Sequence, residues 1–420
     1  MQYKLREWQK SYVDFLFSQP PSLLGAVAWH GMGLGKTLSA LHCSWDIQAK
    51  LRDKGVPFPK TLVLMPKSAL ATWQAECRKF TPYQTRSIVL VPYSQLHKIH
   101  KFGEFHDIRC IILDEAHKIK NPDTNTARNL AGVLESIHNS QGAFEGGKIL
   151  PLTGTPMPNG AMEFYTQWAL CSSPNLLEAS KRVIDAERYK KWKRTFAVKK
   201  EVSWETRGGE TEYGADYKGV ANSDQLAQLL GPVVHFRRVE DCLDLPEKQE
   251  IPIDLNLSDD KLLANANIEE PEHYMALLER LSRAKTPYMI DWIRDFLSLG
   301  KDQLVVFSMY KAPLNEIKEK FGNKVVMVTG AESNYERREN LEAFQKGVAR
   351  VIVLTYRAGS EALNLQNAFT TLYHGYPWTD GALKHAMART YRQGQRNFTK
   401  QHFLTTRNND IRILNIVNEK

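Results

Sequence analysis

The chain has 420 residues, with 56 lysines and arginines against 47 acidic residues and a formal net charge of +9. That length predicts two or three domains, each burying its own core, and the modest positive excess suits a polyanionic partner such as nucleic acid. The five cysteines, at 43, 77, 110, 171 and 242, show no paired spacing for a zinc site or disulfide framework, Met1-Gln2-Tyr3-Lys4 opens no signal peptide, and no apolar run reaches membrane-spanning length, so a soluble, reducing, cytoplasmic setting is expected.

In chain order, the first apolar run, Leu23 to Ala28, leads into Trp29-His30-Gly31-Met32-Gly33-Leu34-Gly35-Lys36-Thr37 and then a helix-like stretch. Strand, glycine-rich turn and helix in succession read as a phosphate-binding loop. Its backbone N–H groups converge on phosphate oxygens, Lys36 adds a mobile charge, and the Thr37 hydroxyl can ligate magnesium. The strict pattern wants a glycine where His30 stands, so the loop needs a second motif. Further strands are predicted at Thr61 to Met65, Ser87 to Val91, Cys110 to Leu113 and Lys148 to Leu152. The Cys110 to Leu113 run enters Asp114-Glu115-Ala116-His117, an acidic pair at a strand end. Asp114 suits a magnesium shell and Glu115 suits deprotonation of an attacking water, so loop and pair together predict nucleoside triphosphate hydrolysis.

Residues from about 171 to 247 lose the strand rhythm and are rich in charge and glycine, as in Thr206-Arg207-Gly208-Gly209-Glu210-Thr211, which predicts an inserted, mostly helical element plus linker. Within it, Tyr189, Trp192 and Phe196 follow helical spacing between lysines and predict a helix with its aromatic face packed and its lysines in solvent. The rhythm resumes at Gln303 to Phe307, Val325 to Val328, Arg350 to Leu354, Thr371 to Tyr373 and Gln401 to Leu404, giving a second α/β lobe with a parallel sheet. In His385-Ala386-Met387-Ala388-Arg389-Thr390-Tyr391-Arg392, the two arginines sit three apart, which predicts a shared helix face fit to neutralise charge on a γ-phosphate.

Taken together these motifs resemble the Swi/Snf-like family of helicase-superfamily-two ATPases and DNA translocases. The resemblance runs through Leu5-Arg6-Glu7-Trp8-Gln9, Met32 to Thr37, Pro66-Lys67-Ser68-Ala69-Leu70 with Trp73 and Glu76, and Asp114 to Asn121. It continues through Leu152-Thr153-Gly154-Thr155-Pro156, Val305-Val306-Phe307-Ser308 and Tyr356 to Leu365. It implies an α/β fold of two RecA-like parallel-sheet lobes, at 1–170 and 248–420, with a mostly helical insertion at 171–247 between them. It implies ATP and Mg2+ as cofactors, with Thr37 and Asp114 on the metal and Arg6, Gln9, Gly33, Leu34, Gly35, Lys36, Thr37 and Gly359 on the nucleotide. In this reading Gln9 reads the adenine edge, supported by Arg6. Lys36, Asp114, Glu115, Arg389 and Arg392 are the implied catalytic set, and Ser68, Thr153, Thr155, Ser308 and Arg357 the implied DNA-contact or coupling set.

The implied partner is double-stranded DNA, held by its backbone with little sequence specificity, by a monomer acting as an ATP-dependent translocase. The alternatives are a strand-separating or an annealing helicase acting on DNA forks, or on RNA. Tyr213 to Gly219, Phe236 to Glu240 and Leu245 to Lys248 resemble the annealing branch. The family motifs fill almost the whole chain, so a near-bare motor without targeting modules is expected. Where the family has an acidic pair this sequence has His30 and Gly31; His385 replaces a glutamine; Ser360 and Ala362 replace glycines; and His374-Gly375-Tyr376-Pro377 replaces an acidic stretch before Trp378.

Overall fold

The computed structural model describes residues 4–80, 87–101, 107–141, 144–157, 160–205, 211–255, 257, 271–359, 363–377 and 379–406. The predicted Thr206 to Glu210, Ser360 to Ala362 and Trp378 positions lie outside them. The chain divides into two compact units, Met1–Leu243 and Asp244–Lys420.

The first unit is built on a six-stranded parallel sheet of order β3-β2-β4-β5-β1-β8. Its strands are β1 (Val27–His30), β2 (Lys60–Met65), β3 (Ile88–Pro92), β4 (Ile108–Asp114), β5 (Lys148–Thr153) and β8 (Val234–Arg237). Around it lie α1 (Glu7–Ser18), α2 (Lys36–Asp53), α3 (Leu70–Phe80), α4 (Asn125–Gln141) and α5 (Tyr165–Cys171). The apolar runs are unbroken because both sheet faces are covered: in β4, Ile111 and Leu113 enter one core with Leu130 and Leu134 of α4, while Cys110 and Ile112 enter the other with Leu41 of α2 and Trp73 of α3. The strands are parallel, so the segments leaving β1, β2, β4 and β5 all emerge at one edge, where open α/β sheets bind ligands.

Residues 171–247 hold α6 (Leu176–Val183), α7 (Ala186–Phe196) and α8 (Ser223–Leu230), together with an antiparallel hairpin, β6 (Val198–Glu205) and β7 (Thr211–Lys218). The helices follow the expectation; the hairpin adds to it. β8 then returns to pair with β1, so this stretch closes the first sheet instead of only bridging two lobes. On α7, Trp192 and Phe196 are buried, with the Trp192 indole donating to Ala161 O at 2.8 Å, while Lys190 and Lys191 face solvent. The packed aromatic face is as the helical spacing predicted.

The second unit repeats the plan with order β11-β12-β10-β13-β14-β9. The strands are β9 (Lys248–Asp254), β10 (Leu304–Ser308), β11 (Val325–Val328), β12 (Val351–Thr355), β13 (Thr370–Tyr373) and β14 (Thr399–Thr405). Its helices are α9 (Pro271–Leu299), α10 (Lys311–Phe321), α11 (Asn334–Gln345), α12 (Tyr356–Gly359) and α13 (Asp380–Met387). Along β10, Val305 and Phe307 enter one core and Leu304 and Val306 the other, again leaving two covered faces. β9 was not among the predicted strands. It is an edge strand with mostly exposed, polar residues and a proline, so its sequence carries no apolar run. Among the described residues no helix is long and apolar enough to cross a membrane.

Candidate nucleotide-binding site

The loop from Gly31 to Gly35 connects buried β1 to the first turn of α2, with Gly33 and Gly35 in left-handed backbone at φ 85° and 74°. Glycine is needed there. At Gly35 a Cβ would also meet the Gln9 Nε2 at 2.5 Å, so the missing side chain makes room for the helix in front of the loop. α1 supplies that contact: the Trp8 indole donates to Leu34 O at 3.0 Å, and Gln9 Nε2 donates to Leu34 O and Gly35 O at 3.3 Å each. Gln9 Oε1 accepts the Arg6 N–H at 3.0 Å, and the Arg6 guanidinium lies 5.4 Å from the Trp8 ring centre. The structure thus brings Gln9 to the loop, with its amide engaged by loop carbonyls. Trp8, Ser11 and Arg237 line an open cleft beside it.

The Lys36 ammonium folds back onto the carbonyls of His30, at 3.0 Å, and Gly31, at 3.3 Å. A Cβ on Gly154, after β5, would stand 3.7 Å from the Lys36 Nζ, so this motif also reaches the loop. At the end of β4, the Asp114 carboxylate accepts from the Trp73 indole at 2.8 Å and from the Glu115 N–H at 3.0 Å. Burial and the neighbouring Glu115 charge push the Asp114 carboxyl up to about 6, against the pull of Trp73 and of the Lys36 charge. Glu115 itself holds φ 50°, a conformation that costs a non-glycine residue about 1–3 kcal/mol and that clusters at functional sites.

Two further links tie the acidic pair to the segment after β5. His117 Nδ1 lies 3.3 Å from both Glu115 Oε2 and Thr153 Oγ1, and burial lowers its pKa, so the neutral ring bridges the two motifs. Thr153 Oγ1 accepts the Thr155 N–H at 3.1 Å, and Lys120 pairs with Glu163. Thr37 sits half-buried in the first turn of α2, and Ser68 sits half-buried on the turn after β2, at the same edge. The donor set suits a nucleotide phosphate and a divalent ion: an ammonium, a hydroxyl, a glycine cradle, and a crowded carboxyl pair that a cation would relieve.

In the second unit the predicted residues lie differently. Ser308 is fully buried, with its hydroxyl 3.1 Å from His374 Nδ1, and Gly359 is backed by Phe307, whose ring a Cβ would meet at 2.4 Å. Arg357 is exposed on α12. α13 ends at Met387, so Arg389 and Arg392 do not share a helix face as their spacing predicted. Side chains hold this stretch in a non-helical path: Gln395 Nε2 donates to the Gln366, Ala368 and Thr390 carbonyls, and Thr390 Oγ1 is 3.1 Å from Thr371 Oγ1. The arginines converge all the same, both donating to Leu363 O, at 3.4 and 3.1 Å, with Arg389 also 3.4 Å from His385 Nδ1.

Sequence reasoning missed two supports of the first-unit site. The Trp73 indole holds Asp114 at 2.8 Å, and a tryptophan on an amphipathic helix gives no sign of which carboxylate it meets. His235 received no role, and its ring nitrogen lies 2.7 Å from that of His30. Burial, their mutual proximity and the Lys36 and Arg237 charges lower His30 to about 2, and burial with Arg237 lowers His235 to about 4. Between pH 6.5 and about 4 the unfolded chain therefore binds protons on these rings that the folded chain does not, and stability falls as pH falls through that window. From pH 6.5 to 5 the pair should lose about 3 kcal/mol. Urea unfolding at the two pH values should show a His235→Gln variant losing roughly half of that drop; an unchanged pH dependence in the variant would contradict the buried neutral pair.

Comparison with known proteins points one way. Residues 81–293 match the SNF2-related domain and residues 288–394 the helicase conserved C-terminal domain. The chain is 26% identical over 443 residues to the "SWI/SNF-related matrix-associated actin-dependent regulator of chromatin subfamily A-like protein 1" of Xenopus tropicalis, covering 96% of this chain and 42% of that one. It is 22% identical over 463 residues to the "Chromodomain-helicase-DNA-binding protein 1-like" of Mus musculus, covering 94% and 47%. The chain thus spans less than half the length of these curated relatives. The crystal structure of the helicase MrfA bound to DNA and AMPPNP shares the fold, with a TM-score of 0.55 at 15% identity, covering 95% of this chain and 48% of that one. With a glycine-rich loop and an acidic pair at one sheet edge, two units each built on a parallel sheet, and a family match over half its length, the chain belongs to the SNF2-related family.

Proposed function

We propose that the chain is an ATP-dependent translocase on double-stranded DNA, using Mg2+ and the first-unit site for hydrolysis. The observation that carries the reading is the meeting of Lys36, Asp114 and Glu115 at one edge of one parallel sheet, where the Lys36 charge is felt by Asp114. In this reading Lys36 leaves the His30 and Gly31 carbonyls to bind phosphate oxygens, while the loop N–H groups hold the rest. Thr37 and Asp114 are the residues that would hold the magnesium ion, which when bound neutralises phosphate charge. Glu115 orients the attacking water and takes its proton, and His117 relays the state of that carboxylate to Thr153. Arg389 and Arg392 are the residues assigned to neutralising charge on the γ-phosphate.

Double-stranded DNA is inferred from the net charge of +9 and from the relatives' names, which speak of chromatin and DNA binding. Contacts to the phosphate backbone position a protein without reading sequence, which a translocase requires. ATPase assays with and without duplex DNA test the core of the proposal, with stimulation of tenfold or more as the expected result. Triplex displacement beside forked-duplex unwinding tests the mode of action: displacement without unwinding is expected, and unwinding without displacement would make the protein a strand-separating helicase.

A further inference from the structure

α1 and β8 together grip both feet of the phosphate loop. The far foot is held from α1 by Trp8 and Gln9, which donate to the Leu34 and Gly35 carbonyls. The near foot is His30, the last residue of β1, whose carbonyl accepts Lys36 and whose ring is fully buried. Its Nε2 is 2.7 Å from His235 Nδ1, and His235 Nε2 is 2.9 Å from the Ser11 hydroxyl on α1. Arg237 donates to the same Ser11 oxygen at 2.9 Å. Register explains the meeting, since Ala28 pairs with His235 and His30 with Arg237 along the parallel β1 and β8 ladder.

The chain of bonds has a direction. With Arg237 donating to Ser11 Oγ, the Ser11 proton is available to His235 Nε2, which leaves the His235 proton on Nδ1 to be given to His30 Nε2. His30 Nδ1 is then a buried nitrogen without a hydrogen-bond partner among the described residues, beside the edge-on Tyr12 ring at 5.4 Å. A fold tolerates such a loss where the geometry serves something else. The carbonyl that this ring anchors is the one on which Lys36 rests.

We propose that His235, through His30, is a positioning residue for the phosphate loop: the Ser11–His235–His30 chain fixes the strand end from which the loop N–H groups and Lys36 reach the triphosphate, and so sets the affinity for it. The inference rests on the ATP-site reading. Its test separates the two ring nitrogens of His235. An asparagine amide overlies the position of Nδ1 and keeps the bond to His30; a glutamine amide overlies Nε2 and keeps only the bond to Ser11. His235→Gln should raise Kd and KM for ATP about 5–10-fold, the size expected for one hydrogen bond, with the loss falling on KM rather than on kcat. His235→Asn should restore affinity to within about twofold of wild type, and Ser11→Ala, a small change that spares the fold, should raise KM about 2–5-fold.

Binding of a fluorescent ATP analogue, steady-state ATPase and thermal unfolding are measured on each full-length variant. Equal losses of affinity in the Asn and Gln variants, a loss that merely tracks melting temperature, or a Gln variant within twofold of wild type would each overturn the positioning role. Wild-type protein that fails to bind the analogue would overturn the ATP-site reading, and this inference with it.

Discussion

Glu115→Gln should lower kcat for ATP hydrolysis by about 10²–10⁴-fold while leaving ATP affinity within a few-fold of wild type. Glutamine keeps the length, the polarity and an oxygen to face the His117 Nδ1, now 3.3 Å from the carboxylate, but it cannot take a proton from water. The backbone gains no new strain, because Glu115 already occupies φ 50° and glutamine has the same Cβ. A selective loss of turnover is the consequence, read by binding of a fluorescent ATP analogue beside single-turnover hydrolysis with duplex DNA. Sustained DNA-stimulated hydrolysis in this variant would remove Glu115 from the role of base.

Arg392→Ala and Arg389→Ala should each cost about 10³-fold in kcat, the scale of an arginine that neutralises γ-phosphate charge. The two should differ in stability. Arg389 is 8% exposed, bonded to Leu363 O and near His385, so its removal opens a cavity and leaves buried polar atoms short of a donor, at about 1–3 kcal/mol. Arg392 is half-buried and its loss should leave the melting temperature within a degree or two. Steady-state ATPase and thermal unfolding on both variants check this; an Arg392→Ala protein that keeps kcat within a few-fold would remove Arg392 from the role of neutralising γ-phosphate charge.

How much of this was legible depended on how local the signal was. The buried strands were readable because a strand covered on both faces needs apolar residues at every position: Cys110 to Leu113 and Val325 to Val328 announce themselves. The predicted start at Leu23 came early, since Leu23 and Leu24 pack ahead of β1, which begins at Val27. β9 escaped because an exposed edge strand alternates weakly, and the β6–β7 hairpin escaped because its residues are largely polar and charged. The helix face assigned to Arg389 and Arg392 failed for another reason: Gln395 and Thr390 bond backbone and side-chain groups far from their own position in the chain, and no periodicity within the segment records that.

By itself the amino-acid sequence determined the two parallel sheets, the glycine-rich loop between strand and helix, the acidic pair and the family, because each is written in contiguous residues whose chemistry is local. Only the tertiary structure decided what stands behind those motifs. That the Trp73 indole meets Asp114, that His117 joins Glu115 to Thr153, and that His235, two hundred and five residues after His30, reaches its ring are matters of register and strand order. Such contacts are set by which strand lies beside which, and β8 lies beside β1 only in the folded sheet.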